Sequence, residues 1–207
     1  KSTLLNALTG SNVTICDGLF TTLDPSARRL DFSGGRWGII SDTVGFIRKL
    51  PHSLVKAFRA TLEMAVNSEV LLVVCDVSDE NFRECLAAVE EVLKELESTA
   101  AERLYVFNKI DKATNLDREK ILSEFPGAVF ISAATGEGLD ELKARLEEFI
   151  ARRYVNLQIL LPTKSELVRE IMQTSVVKKQ EWGQGTVIIE AEVPIKLRPR
   201  LENYLLD

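Results

Sequence analysis

The chain has 207 residues, a formal net charge of −5 and 45% hydrophobic residues. That length suits one or two domains, and the apolar fraction is enough for a substantial core. The acidic balance argues against a protein that coats nucleic acid by bulk charge. It leaves room for a local basic contact at Arg28-Arg29, Arg36, Arg48-Lys49 or Lys178-Lys179, each of which also reads as an ordinary solvated face. Cys16, Cys75 and Cys85 form no C-x-x-C pair, which fits a reducing cytoplasm. The apolar runs are far shorter than the roughly 20 residues of a membrane-spanning helix.

The chain opens on Lys1-Ser2-Thr3. These residues match the last part of a G-x-x-x-x-G-K-[ST] phosphate-binding loop. In that reading the Lys1 ammonium lies on the β- and γ-phosphates and the Ser2 hydroxyl is a Mg2+ ligand. Thr3 follows in a helix whose N-terminus faces the phosphates. The plainer reading is an exposed helix start. Next comes the threonine-rich loop Leu19-Phe20-Thr21-Thr22-Leu23-Asp24-Pro25. One of its hydroxyls, Thr22 in preference to Thr21, is expected to complete the metal shell when a γ-phosphate is present. The alternative is a surface loop with a hydroxyl turn.

A strand is predicted at 27–32, and Ser33-Gly34-Gly35 turns it into a second extended run ending at Ser41. That second strand delivers Asp42, whose carboxylate can hold a metal-bound water. Gly45 follows three residues later, and with no Cβ its N–H can approach a terminal phosphate. An ordinary strand and turn is the competing account. Residues 51–66 read as a helix with Pro51 near its start. Residues 70–76 read as a buried strand containing Cys75. Asp79 is expected to cap a helix at 81–96 with an apolar stripe that includes Phe82, Leu86 and Leu93.

The apolar run 103–107 is of strand length, and Asn108-Lys109-Ile110-Asp111 follows it. A carboxylate there can accept two hydrogen bonds from a base carrying adjacent N–H and NH2 groups. Guanine offers that pair and adenine does not. A site built around such polar groups rejects a ligand lacking them by roughly 10^4 to 10^5. Asp111 is thus the candidate guanine reader, with Asn108 and Lys109 beside it. Another buried strand at 129–131 ends in Ser132-Ala133-Ala134, small residues whose amides can approach a base carbonyl. A helix is expected at 139–154. A second unit then follows, with a weakly alternating strand at 156–161 and a capping box at Thr163-Lys164-Ser165-Glu166 that starts a helix of about a dozen residues. Strands at 176–182 and 186–193 are separated by Gly183-Gln184-Gly185, and a terminal helix at 196–206 is interrupted by Pro199.

Taken together, these segments resemble the translation-factor-like P-loop GTPases, and among them the HflX family. The specific likeness lies in Leu19 to Pro25, in Ser41-Asp42-Thr43-Val44-Gly45-Phe46-Ile47-Arg48-Lys49-Leu50-Pro51-His52, and in Phe58-Arg59-Ala60-Thr61-Leu62-Glu63. The resemblance implies an α/β fold: a P-loop three-layer sandwich whose sheet is mostly parallel with one antiparallel hairpin, followed by a small α+β domain. It implies a GTP-binding domain over 1–154 and a C-terminal domain over 155–207.

It also implies GTP and GDP as ligands, Mg2+ as metal, and slow hydrolysis of GTP. The implied partner is the large ribosomal subunit, its RNA and proteins, in splitting stalled or stressed ribosomes. Lys1, Thr22 and Gly45 are the expected catalytic group. Ser2, Thr22 and Asp42 are the expected metal ligands. The nucleotide is expected to contact Lys1, Ser2, Thr3, Thr22, Asp42, Gly45, Asn108, Lys109, Asp111, Ser132, Ala133 and Ala134. The protein is expected to be cytoplasmic and monomeric.

Ras-like GTPases often place a water-orienting glutamine after the glycine of this loop, where the chain has Phe46. Slow intrinsic turnover with a large partner effect follows. A dyad using His52, the single histidine, is a weaker alternative to a polar residue in the first turn of a helix. Because the chain starts inside the phosphate loop, the strand and glycines before it, and the family's N-terminal domain, are expected to belong to a longer protein. The alternatives are a GTPase of ribosome assembly or tRNA modification, and a truncated interaction module unable to bind nucleotide.

Overall fold

A computed structural model describes residues 1–10, 27–42, 68–95 and 102–206. Its contacts divide the chain into two compact units, Lys1–Leu30 with Ile39–Ala144 and Asp31–Gly38 with Arg145–Asp207.

In the first unit, helix α1 spans Ser2–Thr9 and buries Leu4, Leu5 and Leu8 along one face. It stops at Gly10, which takes the left-handed conformation (φ 66°) and donates its N–H to the Asn6 carbonyl at 2.9 Å. Strands β1 (Ala27–Asp31) and β2 (Trp37–Ser41) form a two-stranded sheet across the glycine turn. The chain's parallel sheet is built from β3 (Val70–Asp76), β4 (Glu102–Asn108) and β5 (Val129–Ile131), in that spatial order. Continuous runs of β-branched and apolar residues such as Val70-Leu71-Leu72-Val73-Val74-Cys75 are what such a sheet requires.

Helix α2 (Phe82–Glu95) packs Phe82 and Leu86 into the same core as Val73, Cys75 and Phe107. The loop before it is held by Asp79, whose side chain accepts the Asn81 N–H at 2.9 Å. Phe107 centres an aromatic group, stacked on Phe130 at 5.5 Å and edge-on to Phe82 at 6.1 Å. Burial pushes the Cys75 thiol up to about 12, with the neighbouring Cys85, Asp76 and Asp79 adding to it, so it stays a neutral core group.

Helix α3 (Arg118–Glu124) was not anticipated from the sequence. Its Asp117 cap accepts the Lys120 N–H, and Ile121 is its single buried residue. Helix α4 spans Leu139–Ala151, ending three residues before the boundary expected for it. Tyr154 is taken into a strand instead, where it pairs with Pro194.

The second unit is an antiparallel sheet in the order β6 (Tyr154–Pro162), β8 (Thr186–Pro194), β7 (Val176–Trp182). Central strand β8 alternates cleanly, burying Val187, Ile189, Ala191 and Val193. Helix α5 (Glu166–Thr174) closes that face with Val168 and Ile171. Its cap is Ser165, whose hydroxyl accepts the Leu167 N–H, and not the expected Thr163. Thr163 instead donates its N–H to the Gly185 carbonyl at the hairpin end.

The expected terminal helix is broken into three short pieces. Only Arg198–Leu201 (α6) is α-helical, and a 3-10 turn lies on either side of it. Pro199 sits at the start of α6, where its missing N–H costs nothing, and does not interrupt it. The chain then extends so that Leu205 bridges Ile159 and Leu206 donates to the Gln158 carbonyl. The helix expected at 51–66 lies outside the described residues.

Candidate functional site

The register of the parallel sheet lines up its strand ends. Asp76 is opposite Asn108, and Asn108 is opposite Ile131. Three loops therefore leave one edge at the same level, at the carboxyl ends of parallel strands where open α/β sheets bind ligands. Cross-loop hydrogen bonds knit them. Val77 donates to the Asn108 carbonyl at 3.0 Å, and Ile110 donates to the Ile131 carbonyl at 3.2 Å.

Asn108 is the hub of this edge. It is buried, and its side-chain oxygen accepts both the Lys109 N–H at 2.8 Å and the Ala133 N–H at 3.0 Å. One amide side chain thereby fixes its own loop and the loop after β5. Lys109 has φ 68°, the one non-glycine positive φ among the described residues. A left-handed backbone at a long side chain is costly and persists only where the surroundings hold it. Asp111 is exposed, and its side chain has no hydrogen bond or ion pair among the described residues.

Asp76 was not among the residues expected at the site. Its carboxylate pairs with the Lys109 ammonium through one oxygen. The other oxygen accepts the Ser78 N–H at 3.0 Å and the Ser78 hydroxyl at 2.6 Å. Burial works to raise the Asp76 pKa. The hydrogen bonds from Lys109 and Ser78 outweigh it and hold the group below its usual value. In the sequence it is simply the last residue of a buried strand, and only the fold brings it to Lys109.

After β5, Ser132 is fully buried and donates its N–H to the Glu137 carbonyl at 2.9 Å. The Ala133 N–H is already given to Asn108. Ala134, the third residue of this run, is exposed. Ser132 and Ala133 shape the loop from beneath.

At the start of α1, Lys1 is the helix cap, and its carbonyl accepts the Leu5 N–H at 3.0 Å. The Ser2 hydroxyl donates to the Asp42 carboxylate at 3.5 Å, and Asp42 is only 9% exposed. Thr3 is half-buried in the same first turn. Lys1 as a residue is open to solvent, but its ammonium is crowded. That crowding lowers its pKa, and the negative Asp42 partly offsets it. The backbone nitrogen of Lys1 lies near Asp42, Lys109 and Asp76. The start of α1 thus lies on the same side of the unit as Asp76 and Lys109.

No group of three or more His, Cys, Asp or Glu among the described residues could hold a metal by itself. A hydroxyl and a carboxylate, Ser2 and Asp42, are hard oxygen donors of the kind Mg2+ takes when phosphates supply further ligands. Thr21, Thr22, Gly45, Phe46 and His52 lie outside the described residues.

The family model described as 50S ribosome-binding GTPase matches residues 1–109. The protein named GTPase HflX from Caldanaerobacter subterraneus subsp. tengcongensis is 38% identical over 208 residues, covering 100% of this chain and 47% of that protein. The GTPase HflX of Escherichia coli K12 is 35% identical over 219 residues, covering 100% of this chain and 51% of that protein.

The chain belongs to the HflX GTPases, within the 50S ribosome-binding GTPase family. It spans about half the length of the HflX proteins it matches. Among solved structures, a GTP-binding protein from the hyperthermophilic archaeon Sulfolobus solfataricus in complex with GDP is similar at TM-score 0.58 and 27% identity, over 73% of this HflX chain and 49% of that one. Fold class and family membership thus agree with the motif reading. No described helix of this HflX chain is long and apolar enough to cross a membrane.

Proposed function

We propose that this chain carries the nucleotide-binding part of an HflX protein that binds GTP with Mg2+, hydrolyses it to GDP and phosphate, and thereby alters its hold on the large ribosomal subunit in rescuing stalled ribosomes. The observation that carries this reading is the Asn108 clamp. It fixes the loop that carries the exposed Asp111 at the carboxyl edge of the parallel sheet, while Ser2 and Asp42 meet at the start of α1.

Asp111 would accept the adjacent N–H and NH2 of guanine, and the Ser132-Ala133-Ala134 loop would supply an amide to the base carbonyl. The Lys1 ammonium would lie against the phosphates, whose negative charge would favour its protonated form and oppose the burial that lowers its pKa. Ser2 and Asp42 would hold Mg2+. When bound, the metal neutralises charge between the β- and γ-phosphate oxygens. Thr22 would complete the set of residues holding the metal, and Gly45 would donate its N–H to the γ-phosphate. With Phe46 where a water-orienting glutamine often stands, hydrolysis relies on electrostatic stabilisation by Lys1 and backbone amides, or on a group supplied by a partner. A supplied group is worth about 10^3 to 10^5 in GTPases generally.

The test uses the full-length protein. GTP turnover is measured alone and with purified large subunits, and subunit binding is measured with GDP and with a non-hydrolysable GTP analogue. Slow turnover that the subunits stimulate at least tenfold, with tighter binding in the analogue state, is expected. Rapid unstimulated turnover, or equal subunit affinity in both nucleotide states, contradicts the proposal.

A further inference from the structure

We propose that Asp76 is a positioning residue for guanine-nucleotide binding: it holds the Lys109 side chain in place between the base-reading Asp111 and the phosphate end of the site. This deepens the function proposed above and rests on it.

Three contacts hold Lys109. Its N–H goes to the Asn108 side chain at 2.8 Å, its carbonyl accepts the Lys112 N–H at 3.0 Å, and its ammonium pairs with Asp76. The backbone contacts support a left-handed conformation that a lysine rarely adopts. They leave the flexible four-carbon stem unordered, and among the described residues Asp76 is the partner that fixes it.

The carboxylate is itself held from behind. Its second oxygen is occupied by both the N–H and the hydroxyl of Ser78, so its direction is set before Lys109 arrives. The strand register adds to this, because Asp76 and Asn108 are cross-strand partners at the same edge. Their loops therefore cannot drift apart without breaking the sheet.

As a contribution to folding the pair is minor, since the Lys109 and Asp76 side chains are 47% and 39% exposed. Its effect is preorganisation. A lysine already placed loses less rotamer freedom when nucleotide binds, and affinity rises without a new contact to ligand.

The experiment is a double-mutant cycle in the full-length protein, using a fluorescent GDP analogue as probe, with thermal unfolding in parallel. Asp76→Asn keeps an acceptor for Ser78 and replaces the oxygen that faces Lys109 with an amide. Lys109→Gln leaves the Asp76–Ser78 turn intact. Asp76→Asn is expected to weaken GDP binding about three- to fivefold, the size of an exposed ion pair, with Tm changed by less than about 2 °C. In the Lys109→Gln background the same change is expected to have no further effect.

Unchanged GDP affinity in Asp76→Asn overturns the proposal, as does an equal loss in both backgrounds. Failure of the wild-type protein to bind GDP at all is a separate result, and it removes the nucleotide reading itself.

Discussion

Asn108 and Ala133 stand 25 residues apart in sequence, and the side-chain oxygen of the first accepts the N–H of the second at 3.0 Å. The same oxygen accepts the Lys109 N–H, so both its lone pairs are used. A buried acceptor of this kind makes one rigid edge from two loops that belong to different strands.

Replacing Asn108 by Ala removes the acceptor and strands the buried Ala133 amide. The expected cost is about 1–3 kcal/mol of unfolding free energy, read by urea denaturation. GDP affinity is expected to fall at least tenfold, because Asp111 loses its fixed approach. A variant as stable as wild type, with unchanged GDP binding, would remove Asn108 from the account.

Gly138 precedes α4 at φ 74°, and a Cβ there would sit 2.1 Å from the Phe130 carbonyl oxygen. Gly136 has φ 90° but open space around it. Gly138→Ala is therefore expected to cost at least about 3 kcal/mol through overpacking and backbone strain together, and Gly136→Ala roughly 1 kcal/mol from strain alone. Denaturant titration of the two variants side by side checks the ordering. Equal losses would mean the close approach at Phe130 relaxes freely.

Glu192 is a largely buried carboxylate in the second unit, bonded to Lys178 at 2.9 Å and Arg36 at 2.8 Å. The Lys178 hydrogen bond, opposed by burial and aided by Arg36, holds its pKa below the ordinary 4.5. A depressed folded-state pKa means the stabilisation is present above 4.5 and is lost as pH falls below it. Thermal unfolding from pH 7 to pH 3 is expected to show a loss in that window which is smaller in Glu192→Gln. At neutral pH the variant is expected to be less stable by roughly 1–3 kcal/mol, as for hydrogen bonds to a charged group. Identical pH profiles would contradict the assignment.

Much of the fold can be read directly because hydrophobic pattern and turn chemistry are local. Residues 70–76 form a strand as expected, since an apolar β-branched run has few other uses. Gly183-Gln184-Gly185 joins two strands whose limits match the reading to within a residue. Helix α3 escaped because seven residues with one buried side chain, Ile121, carry no stripe.

The cap at Ser165 was misplaced by two residues, since Thr163 and Ser165 are equally good acceptors in sequence and only the β6–β8 pairing decides which is free. In the candidate site, the Asn108–Asp111 run was expected from its residue types, and it follows β4 at the sheet edge. Asp76 could not be expected, because its contact with Lys109 spans 33 positions and depends on strand register. Gly138 was likewise invisible, because what excludes a side chain there is the backbone of Phe130.

The central claim is that an acidic side chain on this clamped loop chooses a guanine base, and titration of the full-length protein with GDP, ADP and XDP tests it most directly. Wild type is expected to bind GDP and to discriminate against ADP by roughly 10^4. Asp111→Asn, whose amide donates where the carboxylate accepted, is expected to lose GDP and gain XDP. Comparable affinity of the wild type for GDP and ADP, or an Asp111→Asn variant that still prefers GDP, would contradict the account.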